Sequence, residues 1–173
     1  MLRDETLRYL NYADQKLTVE QDAQIDSAIA EVIECARPRT VHRVFDLFEK
    51  DGYPAIDAAI DLQFDDLRRL LAGCTDCMMI AGTLGIEIDR RLKYFAGFDM
   101  TRYVIMDAAA SAYIEEICDS LQESLPFQRM TFRFAPGYGD VPLTMQKQLL
   151  NVLDAGRRIG LTLTSTLLMT PTK

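Results

Sequence analysis

The chain has a single histidine, His42, in 173 residues. A Ser-His-Asp or Cys-His catalytic arrangement would have to use that residue, and a metal site built on several histidines is excluded. His42 sits in "RTVHRVFDLF", where apolar and polar residues alternate as on a half-buried strand, which puts His42 on the polar face. No apolar run approaches the ~20 residues that a membrane helix needs. The N-terminus, "MLRDETLRYLNYADQ", lacks the apolar stretch of a secretory signal. Basic charge is short as well: 19 Lys and Arg stand against 26 Asp and Glu, a net charge of −7. With no local basic patch, that balance disfavours a nucleic-acid role, which needs cations to neutralise phosphates. The expectation is a cytoplasmic protein that neither crosses a membrane nor binds nucleic acid. Repeats, low-complexity tracts and linkers are also missing, so residues 1–173 are expected to form one domain.

Four cysteines are present: Cys35, Cys74, Cys77 and Cys118. "CTDC", residues 74–77, has the spacing of a redox pair or of half a zinc site. A redox pair of that kind opens a helix, where the dipole lowers the thiol pKa. Here the pair leads instead into "CMMIAGTLG", which reads as a buried strand. Cys35 and Cys118 fall in separate expected helices. Ordinary reduced thiols are the expectation.

Thr18 followed by Gln21 has the form of a capping box. Val19, Ile25, Ile29, Val32 and Ile33 then recur at helical spacing, and Pro38 should stop that helix near Arg37. "TVHRVFDLF" alternates as a strand, "EKDGYP" is a turn, and "AIDAAIDLQF" fits either a strand or a helix. A short helix, "FDDLRRLLAG", should end at Gly73, and the strand "CMMIAGTLG" should feed the helix "IEIDRRLKYFAGF". A long helix is expected from about Asp99 to Leu125, with the small residues of 108–112 allowing tight packing, and with Pro126 ending it. "RMTFRF" reads as a strand. Thr144 should cap a helix, "MQKQLLNVLDAG", closed at Gly156, and "IGLTLTSTLLM" should be a final apolar strand. Helices and strands without regular βαβ alternation indicate an α+β domain. The chain reaches "TPTK" directly after that apolar strand, so a closing element is expected to be missing.

The most informative stretch is "RFAPGYGD", Arg133 to Asp140. Arg133 offers a planar fork suited to a carboxylate. Pro136-Gly137 signals a turn, and Gly139 allows a second close approach to backbone. Tyr138 adds a flat face and a hydroxyl. Together these residues suit a small molecule bearing a carboxylate and a flat or cationic part. A plain strand-turn-helix connection is the more ordinary reading of the same residues, and the residues alone leave both open.

Residues 133–173 resemble the C-terminal activation domain of cobalamin-dependent methionine synthase, and more closely its free-standing bacterial homologues. Those homologues carry an Arg-Phe-Ser-Pro-Gly-Tyr-Gly-Asp segment, a helix, an Ile-Gly strand and a Met-x-Pro-x-Lys segment. This chain has each in order: Arg133 to Asp140, the helix from Thr144, Ile159-Gly160, and Met169 to Lys173. Upstream, "LRYLNY", "ARPRTVHRVFDL", "AGTLGIEIDRR" and "MDAAASAYIEEICDSL" extend the resemblance over essentially the whole chain. It implies a mixed or antiparallel bent sheet with flanking helices.

The resemblance also implies S-adenosylmethionine as the ligand. Arg133 would hold its methionine carboxylate, with Pro136, Gly137 and Tyr138 lining the site and Ala135 and Gly139 as neighbouring backbone. Glu115, ahead of Asp107 and Asp140, would face the ammonium and sulfonium charges. The implied chemistry is repair. An electron donor such as flavodoxin returns one electron to an inactive cob(II)alamin, and S-adenosylmethionine methylates the cob(I)alamin formed. The cobalamin would be carried by a partner, a methionine synthase or another corrinoid methyltransferase, because the chain has no Asp-x-His-x-x-Gly motif. Two departures stand out. Thr164-Ser165-Thr166 replaces the Thr-Glu-Ser of full-length methionine synthases, and the family continues past the lysine. A non-catalytic adaptor docking on a corrinoid protein is the alternative, and a thiol oxidoreductase using Cys74 and Cys77 is a third.

Overall fold

The computed structural model describes residues 2–12, 15–127 and 129–173. Its elements are α1 (Leu2–Tyr9), α2 (Val19–Cys35), β1 (Arg39–Asp46), β2 (Phe48–Lys50), β3 (Tyr53–Ala55), α3 (Asp65–Leu70), β4 (Asp76–Thr83), α4 (Ile86–Ala96), α5 (Met100–Glu123), α6 (Met145–Val152), α7 (Ala155–Ile159), β5 (Thr162–Leu163) and β6 (Met169–Thr170). The class is α+β, as the sequence indicates. In place of one bent sheet, the described strands form three two-stranded ladders, β1 with β4, β2 antiparallel to β3, and β5 with β6.

The chain folds into two compact units. The first comprises the residues up to Arg39 together with Gly82–Leu125 and Thr170–Lys173. Here α1, α2 and α4 pack on α5. α2 starts as expected: the Thr18 hydroxyl accepts from the Gln21 amide at 3.2 Å while the Gln21 side chain accepts from the Thr18 amide at 2.9 Å. Its buried stripe is narrower than the periodicity suggests. Ile25, Ala28 and Val32 are buried, but Val19 is 90% and Ile33 49% exposed. The small patch on α5 does pack tightly, with Ala108, Ala109, Ala110 and Ala112 all buried. Side chains this short let neighbouring helices approach closely. α1 was not foreseen from the sequence; it ends in a Schellman turn, with Asn11 left-handed at φ 57° and the Tyr12 amide donating to Leu7 O at 2.9 Å. The segment ending at Lys173 is held in this unit. Lys173 O accepts from the Leu84 amide at 2.8 Å and from the buried Thr83 hydroxyl at 2.7 Å, which satisfies that hydroxyl.

The second unit comprises Thr40–Ala81 and Pro126–Met169. Its core joins Val41 and Phe45 of β1 and Cys77, Met79 and Ala81 of β4 to Leu67 of α3, Met145 and Leu150 of α6 and Ile159 of α7. Several local expectations change here. Beyond Ala55, which ends β3, "AIDAAIDLQF" forms neither a strand nor a helix. "RMTFRF" is not assigned to a strand; Met130 and Phe132 are exposed, and Phe134 packs on the core. The helix after Thr144 breaks at Asp154, which is left-handed at φ 52°, so Gly156 lies inside α7 and Gly160 (φ 74°) ends it. Thr144 makes no side-chain cap, because its backbone is already helical at φ −59°, ψ −23°. The expected final strand is two short ones. The Thr164 hydroxyl accepts from the Leu168 amide at 3.1 Å and lies 2.9 Å from the Thr166 hydroxyl, so the polar residues fold the chain back on itself.

Candidate functional site

The second unit carries the Arg133–Asp140 segment. Phe134 is anchored on the core, while its neighbours Arg133 and Ala135 are exposed. Pro136, half-buried, then starts the turn. The Gly137 amide donates to Val141 O at 2.9 Å, and the Val141 amide donates back to Tyr138 O at 3.1 Å. These bonds close a small loop whose tip carries Tyr138, 69% exposed. Arg133, Ala135, Gly137, Tyr138 and Gly139 are thus all brought to one accessible loop and the stretch leading into it.

Both turn glycines are required by the backbone. Gly137 has φ +96°, and a Cβ there would lie 3.2 Å from Leu143 Cδ1. Gly139 has φ +55°, and a Cβ would lie 1.8 Å from Asp66 Oδ2. Gly73 is also left-handed, at φ +76°, but a Cβ there meets nothing within 4 Å. Gly73→Ala should therefore cost about 1–2 kcal/mol from backbone strain alone. Gly139→Ala should cost clearly more in thermal melts, because the Asp66 carboxylate must also move.

Asp140 does a different job from the one its position in the motif suggests. Its carboxylate accepts from the Asp65 amide at 2.7 Å and the Asp66 amide at 3.3 Å. It therefore caps α3, whose own N-cap, Phe64, has no side chain able to do so. In return Asp66 Oδ2 accepts from the Asp140 amide at 3.0 Å. Both oxygens of Asp140 are thus engaged in capping α3. Sequence reading missed Asp66, which lies 74 residues away and belongs to no motif. The Arg69 guanidinium first, and then the Asp140 amide, hold the Asp66 carboxyl below its ordinary value. Such a depressed carboxyl contributes stability that is present above its unfolded-state value and lost as pH falls through the folded-state one. The difference in melting temperature between the parent and Asp66→Asn should thus be full above about pH 4. It should close as the pH is lowered further.

The two other acids lie on α5 in the first unit. Asp107 is already paired with Lys173 Nζ at 3.0 Å, and that ammonium also donates to Ser111 Oγ at 2.7 Å. Glu115 is exposed on the same helix. His42 is half-buried on β1. None of the four cysteines forms a disulfide, and burial first, then the neighbouring Cys74, pushes the Cys77 thiol up. A raised thiol is a poor nucleophile, so Cys77 itself is not set to attack. Among the described residues no group of three or more His, Cys, Asp or Glu is placed to hold a metal ion. No helix among them is long and apolar enough to cross a membrane.

Fold and loop together define a class: an α+β domain that presents an Arg-x-x-Pro-Gly-Tyr turn at its surface. No protein-family model and no curated protein sequence matches the chain. Among solved structures, the crystal structure of the MetH reactivation domain bound to AdoHcy aligns over 95% of this chain with a TM-score of 0.68 and 19% sequence identity. The chain has the fold of that reactivation domain, as its motifs imply, and spans 65% of the length of the solved chain.

Proposed function

We propose that the chain is an S-adenosylmethionine-binding module that supports reductive remethylation of a corrinoid held by a partner, a methionine synthase or a related corrinoid methyltransferase. The observation that carries this reading is the Arg133–Gly139 loop, presented in a fold whose solved relative is bound to AdoHcy. AdoHcy is what S-adenosylmethionine becomes when it gives up its methyl group, so a site for one has most of the features needed for the other. Arg133 is the proposed carboxylate fork and Tyr138 the proposed flat wall, with Ala135, Pro136, Gly137 and Gly139 as the surrounding backbone. Glu115 is proposed as the countercharge on the sequence resemblance alone.

The chemistry balances without a general acid or base. A flavodoxin-like donor supplies one electron to cob(II)alamin. The cob(I)alamin electron pair then forms the cobalt–carbon bond as the carbon–sulfur bond of the sulfonium breaks, and neutral AdoHcy leaves. The module's task is to hold the methyl carbon in line with its acceptor, a contribution of proximity and orientation. A chain with one histidine suits that task. The test is remethylation of a methionine synthase that lacks its own activation domain, followed by the absorbance change as cob(II)alamin becomes methylcobalamin. With this chain, S-adenosylmethionine and reductant present, conversion should go to completion; no conversion under any stoichiometry would sink the enzymatic reading.

One observation favours the adaptor as a second reading. Thr164, Ser165 and Thr166 close a turn on themselves and supply no carboxylate. An adaptor would bind the corrinoid protein and leave its cob(II)alamin unconverted.

A further inference from the structure

The internal bonds of the motif loop fix its shape but not its tilt. Gly137–Val141 and Val141–Tyr138 bonds would survive a rigid rotation of the whole loop away from the rest of the unit. Buried Val141 and half-buried Phe134 hold the two ends of the loop in the core, and a reciprocal clasp with α3 keeps the part between them from tilting. Asp66 Oδ2 accepts from the Asp140 amide, and the Asp140 carboxylate accepts from the Asp65 and Asp66 amides. Arg69 orients the Asp66 carboxylate in turn. The Gly139 backbone runs so close to Asp66 Oδ2 that no side chain fits between them. The loop is therefore seated on α3 by two carboxylates, Asp66 and Asp140, and Gly139 permits the close approach.

We propose that Asp66 is the positioning residue of the ligand loop, holding Tyr138 and the Gly137–Gly139 backbone in the orientation that receives S-adenosylmethionine. The inference rests on the function proposed above. The hydrogen-bonding capacity of Asp66 is directed to Arg69 and the Asp140 amide. It acts on Tyr138 across only two residues of backbone. Binding groups need to be held within about 0.5 Å of their productive geometry, so loosening the loop should weaken binding without removing any contact.

The test is calorimetric titration of S-adenosylmethionine into the parent chain, Arg133→Ala, Asp66→Ala and Asp66→Asn, with amide hydrogen exchange at Asp140 on each unliganded chain. Asp66→Ala should weaken binding about tenfold, the scale on which small misplacements act. Asp66→Asn keeps an oxygen that can accept from the Asp140 amide, and should stay within about threefold of the parent. Asp140 exchange should quicken in Asp66→Ala and much less in Asp66→Asn. A purely structural Asp66 would leave the affinity alone in both variants, whatever their melting temperatures. If Asp66→Ala does not fold, Arg69→Ala carries the same test, and a threefold loss of affinity or more is expected. Binding that Arg133→Ala abolishes but that Asp66→Ala leaves within twofold overturns the positioning role alone. Silence from the parent and every variant overturns the ligand reading, and the positioning role with it.

Discussion

Arg133→Ala should bind S-adenosylmethionine about a hundredfold more weakly than the parent chain, because charge-assisted bonds contribute about 1.5–3 kcal/mol each and the arginine fork makes them in pairs. Arg133→Lys keeps the charge but loses the planar fork, and should fall between the two. Arg133 is exposed and outside either core. A melting curve of each variant beside the calorimetric titration would separate loss of the ligand contact from loss of folding. Equal binding by parent and variant would remove the arginine from the site. The Arg-x-x-Pro-Gly-Tyr segment would then be a structural turn, held by its glycines and by α3.

The largest loss of stability is expected at Met106. This side chain is fully buried in the first unit, on the helix against which α1, α2 and α4 pack, in a core that also holds Val32, Leu84 and Ile88. Met106→Ala should destabilise the chain by about 2–5 kcal/mol, since the surrounding helices close only part of the cavity left behind. For a chain of this size that corresponds to a fall of roughly 5–15 °C in melting temperature, measurable by calorimetry. Val19→Ala is the informative contrast. Periodicity alone places Val19 on the buried face of α2, yet it is 90% exposed, and its replacement should change stability by less than about 0.5 kcal/mol. A large effect at Val19 and a small one at Met106 would mean that α2 and α5 pack on other faces.

The features legible in the sequence are those determined over a few residues. Thr18 and Gln21 satisfy each other's backbone amides three positions apart, so the start of α2 could be read before any fold was known. Asp99 caps α5 in the same local way, accepting from the Arg102 amide at 2.9 Å. The alternation of β1, the apolar run of β4, the stop before Pro38 and the small patch on α5 are local signals too. The Arg133–Asp140 string was visible as a candidate site for the same reason: its turn chemistry and its side-chain types lie side by side.

The rest depended on partners distant in sequence. "RMTFRF" alternates like a strand, but alternation becomes a strand only when another strand offers its hydrogen bonds, and none of the described ones does. Ile33 repeats at helical spacing with Val32 and Ile29, but which side of a helix is buried, and how widely, is decided by the helices that meet it. Asp107 and Asp140 looked like candidate countercharges, and both are engaged within the protein, by Lys173 and by the amides of α3. The sequence by itself determined the class of fold, most of the helices and the residues of the candidate loop, because caps, breakers and periodicity act within a turn or two of the chain. Only the tertiary structure decided how that loop is seated. The Asp66 carboxylate that holds it is 74 residues away, and a hydrogen bond across that distance leaves no periodic or local trace in the sequence.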